Sequence, residues 1–201
     1  MDSLQSAQRI GCKLLSGARR RCADGPLARN TIADYLNVLE RLMIIEDQPA
    51  WAPHLRSKAI LRSSARRHFV DPSLAVAAMA ASPQRLLSDL SLLVLLFESL
   101  VVRDLRVFAQ PLDGQVFHYR DSNGLEVDAI VQLADGRWAA FEIKLGAGLV
   151  DAGAASLRKF AAIVDTKKSG TPAALAVMSG TGYGYVRDDG INAVPIGALG
   201  P

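Results

Sequence analysis

Cysteine is scarce in this chain. Cys12 and Cys22 are the only two among 201 residues, and no histidine lies near them. Neither a disulfide framework nor the Cys/His spacing of a zinc site is present. Long apolar stretches are missing too. The most apolar one, residues 90–97, is bounded by Asp89 and Glu98, far short of the roughly 20 residues that a membrane span needs. No leader sequence is visible, so a reducing cytoplasm is the expected location. No glycine-rich loop ends in Lys-Ser or Lys-Thr, which leaves no nucleoside-triphosphate site of the P-loop kind to expect here. Internal repeats and low-complexity tracts are absent. Neither sign of charge dominates: 23 Lys and Arg against 20 Asp and Glu give a net +3. That balance permits contact with nucleic acid without arguing for it. Half of the residues are hydrophobic and 21% are charged, enough to build the core of one large domain or two small ones.

What the chain does have is a patterned stretch at residues 116–146, which reads strand, turn, strand, turn, strand. In 125–133 and 137–145 the odd positions are apolar except Arg137: Leu125, Val127, Ala129, Val131, Leu133, Ala139, Phe141, Ile143 and Leu145. The even positions include Glu126, Asp128, Gln132, Glu142 and Lys144. Alternation of period two places one row on a core and the other row on the opposite face. Ala134-Asp135-Gly136 reads as a three-residue hairpin loop. That loop pairs Leu133 with Arg137, sets Asp128 opposite Glu142 and sets Glu126 opposite Lys144. Directly opposed side chains sit about 5 Å apart at Cβ. Two accounts of this face stand side by side. One is a solvated ladder of ion pairs in which Glu126 partners Lys144. The other is a site for Mg2+ or Mn2+, because close carboxylates repel unless a hard cation joins them.

The remainder supplies the setting. A short helix fits residues 4–15, and Arg19, Arg20 and Arg21 form a solvated charge run. Asn30 or Thr31 is placed to cap a helix over 29–45, whose apolar residues Ile32, Tyr35, Leu36, Leu39, Leu42 and Met43 recur at helical spacing. Residues 51–69 mix β-prone pieces with Arg and Lys. A helix followed by a basic ribbon is the layout of a winged helix on DNA; it equally fits a structural subdomain that packs on a partner. Asp71 and Pro72 start another helix. A nearly all-round apolar helix is predicted over 84–105, interrupted by Glu98, which pairs with Arg103 or lies at an exposed edge unless the helix crosses the hairpin face. Short strands are predicted at 106–109 and 115–120. A helix over 150–164 follows, with Leu157, Phe160, Ala161 and Val164 inward. A buried strand at 173–178 and closing strands at 183–186 and 191–195 end the chain. The sum is an α/β sandwich around a mixed sheet.

A helix acid, an Asp on the second strand and Glu-x-Lys on the third, in the order Glu98, Asp128, Glu142-Ile143-Lys144, resembles the PD-(D/E)xK nuclease-like fold. More closely, the chain resembles the DUF4143 domain found at the C-terminus of prokaryotic AAA-type ATPases. The carrying residues are Tyr35-Leu36, Leu39-Glu40, Asp71 through Ala75, Phe97-Glu98 with Leu100-Val101, Tyr119-Arg120, Gly124 through Asp128 and Phe141 through Lys144. The resemblance implies a winged-helix-like segment at residues 1–82, a nuclease-type core at 83–201, and an AAA-type ATPase domain that lies outside this chain. As an enzyme, it would cut DNA with Mg2+ or Mn2+ held by Asp128, Glu142 and the Ile143 carbonyl. Glu98 would hold a second ion or a bridging water, Lys144 would orient the attacking water, and Tyr119 and Arg120 would meet the nucleic-acid backbone. Alternatively, the same fold is a non-catalytic module that binds nucleic acid or protein on behalf of the ATPase. A winged-helix transcription factor is a third reading.

Overall fold

The computed structural model describes residues 28–52 and 64–200. The expected helix at 4–15, the arginine run at 19–21 and the middle of the basic 51–69 segment lie outside the described residues. Helix α1, Arg29–Arg41, begins at Ala28 without a side-chain cap, so neither Asn30 nor Thr31 caps it. Strand β1, Ile45–Gln48, pairs antiparallel with β2, Arg66–Phe69, as a small separate ribbon. Helix α2, Pro72–Ala78, starts as its sequence predicts: the Asp71 carboxylate accepts the Ser73 N–H at 2.9 Å, with Pro72 at the first position.

The single helix expected over 84–105 is in fact two, α3 at Pro83–Ser88 and α4 at Leu90–Ala109. Asp89 makes the break. Its backbone ends the first helix, and its carboxylate accepts the Leu92 N–H at 3.1 Å to begin the second. Helix α4 continues through 106–109, where a strand was expected. Its apolar residues are not buried all round: Phe97, Val101, Val102 and Leu105 are inside, whereas Leu90, Val94 and Leu95 are exposed.

Strands β3 (Gln115–Arg120), β4 (Glu126–Gln132) and β5 (Trp138–Lys144) follow. Then come helices α5 (Val150–Ile163) and α6 (Thr166–Ser169), and strands β6 (Ala174–Ser179), β7 (Tyr185–Val186) and β8 (Asn192–Pro195). The main sheet runs β3-β4-β5-β6-β8-β7. Its first three strands are antiparallel, and β6 lies parallel to both β5 and β8. Helix, three-stranded meander, helix and parallel strand form the mixed, helix-flanked sheet that the element order leads one to expect. One face packs Phe97, Val101, Val102 and Leu105 of α4 on Val116, Ala129, Ile143 and Met178. The other packs Ala154, Leu157 and Phe160 of α5 on Val127, Ile130, Ala140 and Val177. With both faces covered, the central strand β6 reads as a continuous apolar run rather than an alternation.

The ribbon side of the chain is attached to this sheet. Residues 49–51 run beside the outer strand β3: His118 N–H donates to the Pro49 carbonyl at 2.9 Å, and Trp51 N–H donates to the His118 carbonyl at 2.6 Å. This occupies backbone groups that an edge strand would otherwise expose. The Trp51 indole is 1% exposed. It packs among Tyr119, Trp138 and Phe160 and donates from Nε1 to Gln132 Oε1 at 3.0 Å.

Candidate functional site

The site is created by a bulge. Phe117 pairs with Ile130 and Tyr119 with Val127, so His118 alone faces both Asp128 and Ala129. The extra residue switches the parity of β4. Val127 packs toward α5, whereas Ala129 packs toward α4. The expectation that all the odd positions of β4 lie on one core is therefore corrected: both faces of the sheet are covered, and the row changes sides at Asp128. The side chain of Gln48 fills the irregularity, its Nε2 donating to the Phe117 carbonyl at 2.9 Å and the Asp128 carbonyl at 3.1 Å.

At the turn end of the hairpin the expected register is present, with Leu133 N–H donating to the Arg137 carbonyl at 2.8 Å. The paired ladder reaches Ala129 opposite Phe141 and stops. Beyond it the Asp128 carboxylate replaces a backbone acceptor, Oδ2 taking the Ile143 N–H at 2.9 Å. The open end of the β4–β5 pair carries the polar cluster. Lys144 Nζ lies 2.5 Å from Glu142 Oε2 and 3.5 Å from Asp128 Oδ2. Glu142 is buried, and Oε1 accepts from the Ser156 hydroxyl of α5 at 3.1 Å. On the α4 side, Arg66 Nη1 lies 3.0 Å from Glu98 Oε1 and 3.3 Å from Asp128 Oδ1, while its Nη2 pairs with Glu126.

Glu98, Asp128, Glu142 and Lys144 thus come together from one helix and two strands. Two expectations change. Glu126 does not partner Lys144; it pairs with Arg66 and Arg120. Glu98 is neither at an open edge nor bound to Arg103, which pairs instead with Asp71 and Asp104. Tyr119 and Arg120, the two residues expected to meet a nucleic-acid backbone, have different surroundings. Tyr119 lies in the aromatic cluster 4.9 Å from the Phe160 ring, and Arg120 is 59% exposed at the Glu126 pair. Arg66 is the residue that the sequence does not reveal. It stands in a run of arginines, and its three acidic partners are at least 32 residues away.

The electrostatics follow from crowding. Burial, and then the nearby Asp128 charge, lift Glu98 to about 7 in spite of Arg66. Burial and Asp128 likewise lift Glu142 to about 7, against the pull of Lys144 and Ser156. Burial works against the charge on Arg66, but Glu98, Asp128 and Glu126 outweigh it and raise its pKa. Lys144 is raised in the same way, Asp128 and Glu142 outweighing burial. The residues as placed do not fit a divalent ion. Both oxygens of Asp128 and both of Glu142 already face protein donors, and Glu98 Oε1 faces Arg66. Among the described residues no group of three Asp, Glu, His or Cys side chains is placed to hold a metal.

Comparison with known families adds two matches. Residues 5–85 match the model of a domain of unknown function, DUF8612, and residues 95–199 match that of another, DUF4143. No curated protein matches the chain, and no solved structure does. The second match carries Glu98, Asp128, Glu142 and Lys144 and covers more than half of the sequence, so the chain belongs to the DUF4143 family of unknown function.

Proposed function

We propose that this chain is a nuclease-like, non-catalytic protein-binding module that serves an AAA-type ATPase domain. The observation that carries this reading is the closure of the acid cluster by the chain's own cations. Arg66 joins Glu98, Glu126 and Asp128, and Lys144 joins Asp128 and Glu142. A constellation closed in this way is an ionic clasp between the ribbon, α4 and the sheet.

Two surface features favour a protein partner over nucleic acid. Among the described residues several arginines at the surface are paired with acids of the same chain: Arg67 with Asp47, Arg137 with Asp135, Arg158 with Asp189 and Arg187 with Asp151. Charges already paired release few counterions on a phosphate backbone, which is the main source of affinity for DNA. Leu87, Leu90, Val94 and Leu95, on α3 and the first half of α4, are exposed apolar side chains of the kind that protein interfaces cover.

The test is a cleavage assay on single- and double-stranded DNA with Mg2+ or Mn2+. The expected result is intact substrate in every lane. Cleavage that disappears in Lys144→Ala would overturn the proposal in favour of metal-dependent phosphodiester hydrolysis.

A further inference from the structure

We infer that Arg66 is the resident counter-cation of the acid cluster, holding the place that a divalent ion would otherwise take, so that docking of the β1–β2 ribbon and binding of Mn2+ or Mg2+ exclude each other. The inference rests on the reading of the cluster as an ionic clasp and extends it to what the clasp keeps out.

Glu98 comes from α4, and Glu126 and Asp128 come from β4. One guanidinium touches all three. It supplies one full positive charge and a planar fork of donors, and it cannot be neutralised at ordinary pH. A hard dication would seek the same carboxylate oxygens. Arg66 Nη1 lies between Glu98 Oε1 and Asp128 Oδ1, at 3.0 and 3.3 Å. A metal joining these two acids would have to displace that nitrogen. Arg66 is held there by more than charge. Two residues further along β2, the His68 ring is fixed by Gln48 at 3.0 Å and Ser99 at 3.3 Å. The ribbon therefore presents the guanidinium on a braced strand. Removing the guanidinium leaves Glu98, Glu126 and Asp128 with Arg120 and Lys144 as the nearby cations, one at the outer edge on Glu126 and the other on Asp128. The Glu98 and Asp128 oxygens that Arg66 occupies are then open to a cation.

The experiment titrates Mn2+ into the full chain and into Arg66→Met and Arg66→Lys, following free Mn2+ by electron paramagnetic resonance and heat by calorimetry. The unmodified chain and Arg66→Lys are expected to bind Mn2+ weakly. Arg66→Met is expected to bind about tenfold tighter or better, and adding Glu98→Gln to it should remove the gain. Equal affinity in the unmodified chain and in folded Arg66→Met overturns the inference. If Arg66→Met folds only with added cation, recovery of its native circular dichroism in millimolar Mn2+ supports the inference, and no recovery overturns it. The two proposals fail separately. DNA cleavage by the unmodified chain would overturn the non-catalytic function, whereas the exclusion is decided by the Mn2+ affinities of the unmodified chain and Arg66→Met. An unchanged Mn2+ affinity would overturn the exclusion and leave the function standing.

Discussion

Gln48 and His68 show how a buried residue fixes the state of its neighbour. Gln48 has no exposed surface, and its Nε2 is committed to two carbonyls. Only Oε1 is left to face His68, so Nε2 of the imidazole carries the proton, while Nδ1 lies 3.3 Å from the Ser99 hydroxyl, which also reaches the Leu95 carbonyl at 3.2 Å. Burial, and then the charges of Arg106 and Arg66, lower His68 from 6.5 to about 4. The sign follows directly. Below 6.5 the unfolded chain takes up a proton that the folded chain refuses until about 4. The stability contributed by His68 is therefore complete above 6.5 and is lost as pH falls toward 4, a window worth about 3 kcal/mol. Glu98 and Glu142, raised from 4.5 to about 7, run the opposite way, their contribution being lost as pH rises through that range. Urea unfolding of the unmodified chain and of His68→Gln separates the two effects. The stability difference between them is expected to widen from about pH 5 to about pH 7; a difference that ignores pH would contradict a neutral, buried His68. At this scale the sequence named five of the cluster's members, Glu98, Glu126, Asp128, Glu142 and Lys144, because charged residues on an apolar helix and on alternating strands are conspicuous. Arg66 stayed hidden because nothing local distinguishes it from Arg67, which pairs with Asp47 on the ribbon.

Elements were legible where a local rule decides and illegible where tertiary contact does. Asp71-Pro72 announced α2, and Asp135-Gly136 announced the hairpin, with Gly136 at a φ of 89° as its left-handed turn residue. The bulge at Asp128 was not announced. Both faces of the sheet are covered, so an apolar residue satisfies either side, and Val127 before the parity switch looks no different in the sequence from Ala129 and Val131 after it. The break at Asp89 was hidden for a similar reason: the apolar pattern runs straight through it. The helix α5 shows packing of the same kind. A Cβ built on Gly153 would lie 3.0 and 3.1 Å from the two methyls of buried Val177 and 3.4 Å from the Glu142 Cβ. Alanine gains about 1 kcal/mol in helix propensity, but a β-branched neighbour in a central strand has no freedom to yield. Gly153→Ala is therefore expected to lower the midpoint of thermal unfolding, a net cost of about 1 kcal/mol. A rise in the midpoint would show that α5 can move away from the sheet.

For the whole molecule, the outcome turns on how the ribbon side and the sheet share one core. The residues matched to the first family include Trp51, yet its indole is buried among Tyr119, Trp138 and Phe160 of the second. The acid cluster ties the same two parts on the opposite side of the sheet through Arg66. A tether at each face makes independent unfolding costly, because releasing the ribbon uncovers an aromatic pocket and strands Asp128 without its arginine. The resemblance implied a segment at 1–82 joined to a core at 83–201 but not how the two meet, because Trp51 carries no mark of where its side chain goes. Trp51→Ala removes the aromatic tether and leaves a cavity, at a cost of about 3–5 kcal/mol. If the two parts are one cooperative unit, far-ultraviolet circular dichroism and the fluorescence of Trp138 should shift together to lower urea in this variant, with coincident midpoints. If instead the fluorescence transition of Trp138 stays in place while an earlier dichroism step appears, the ribbon unfolds on its own, and Arg66 alone does not hold it to the sheet.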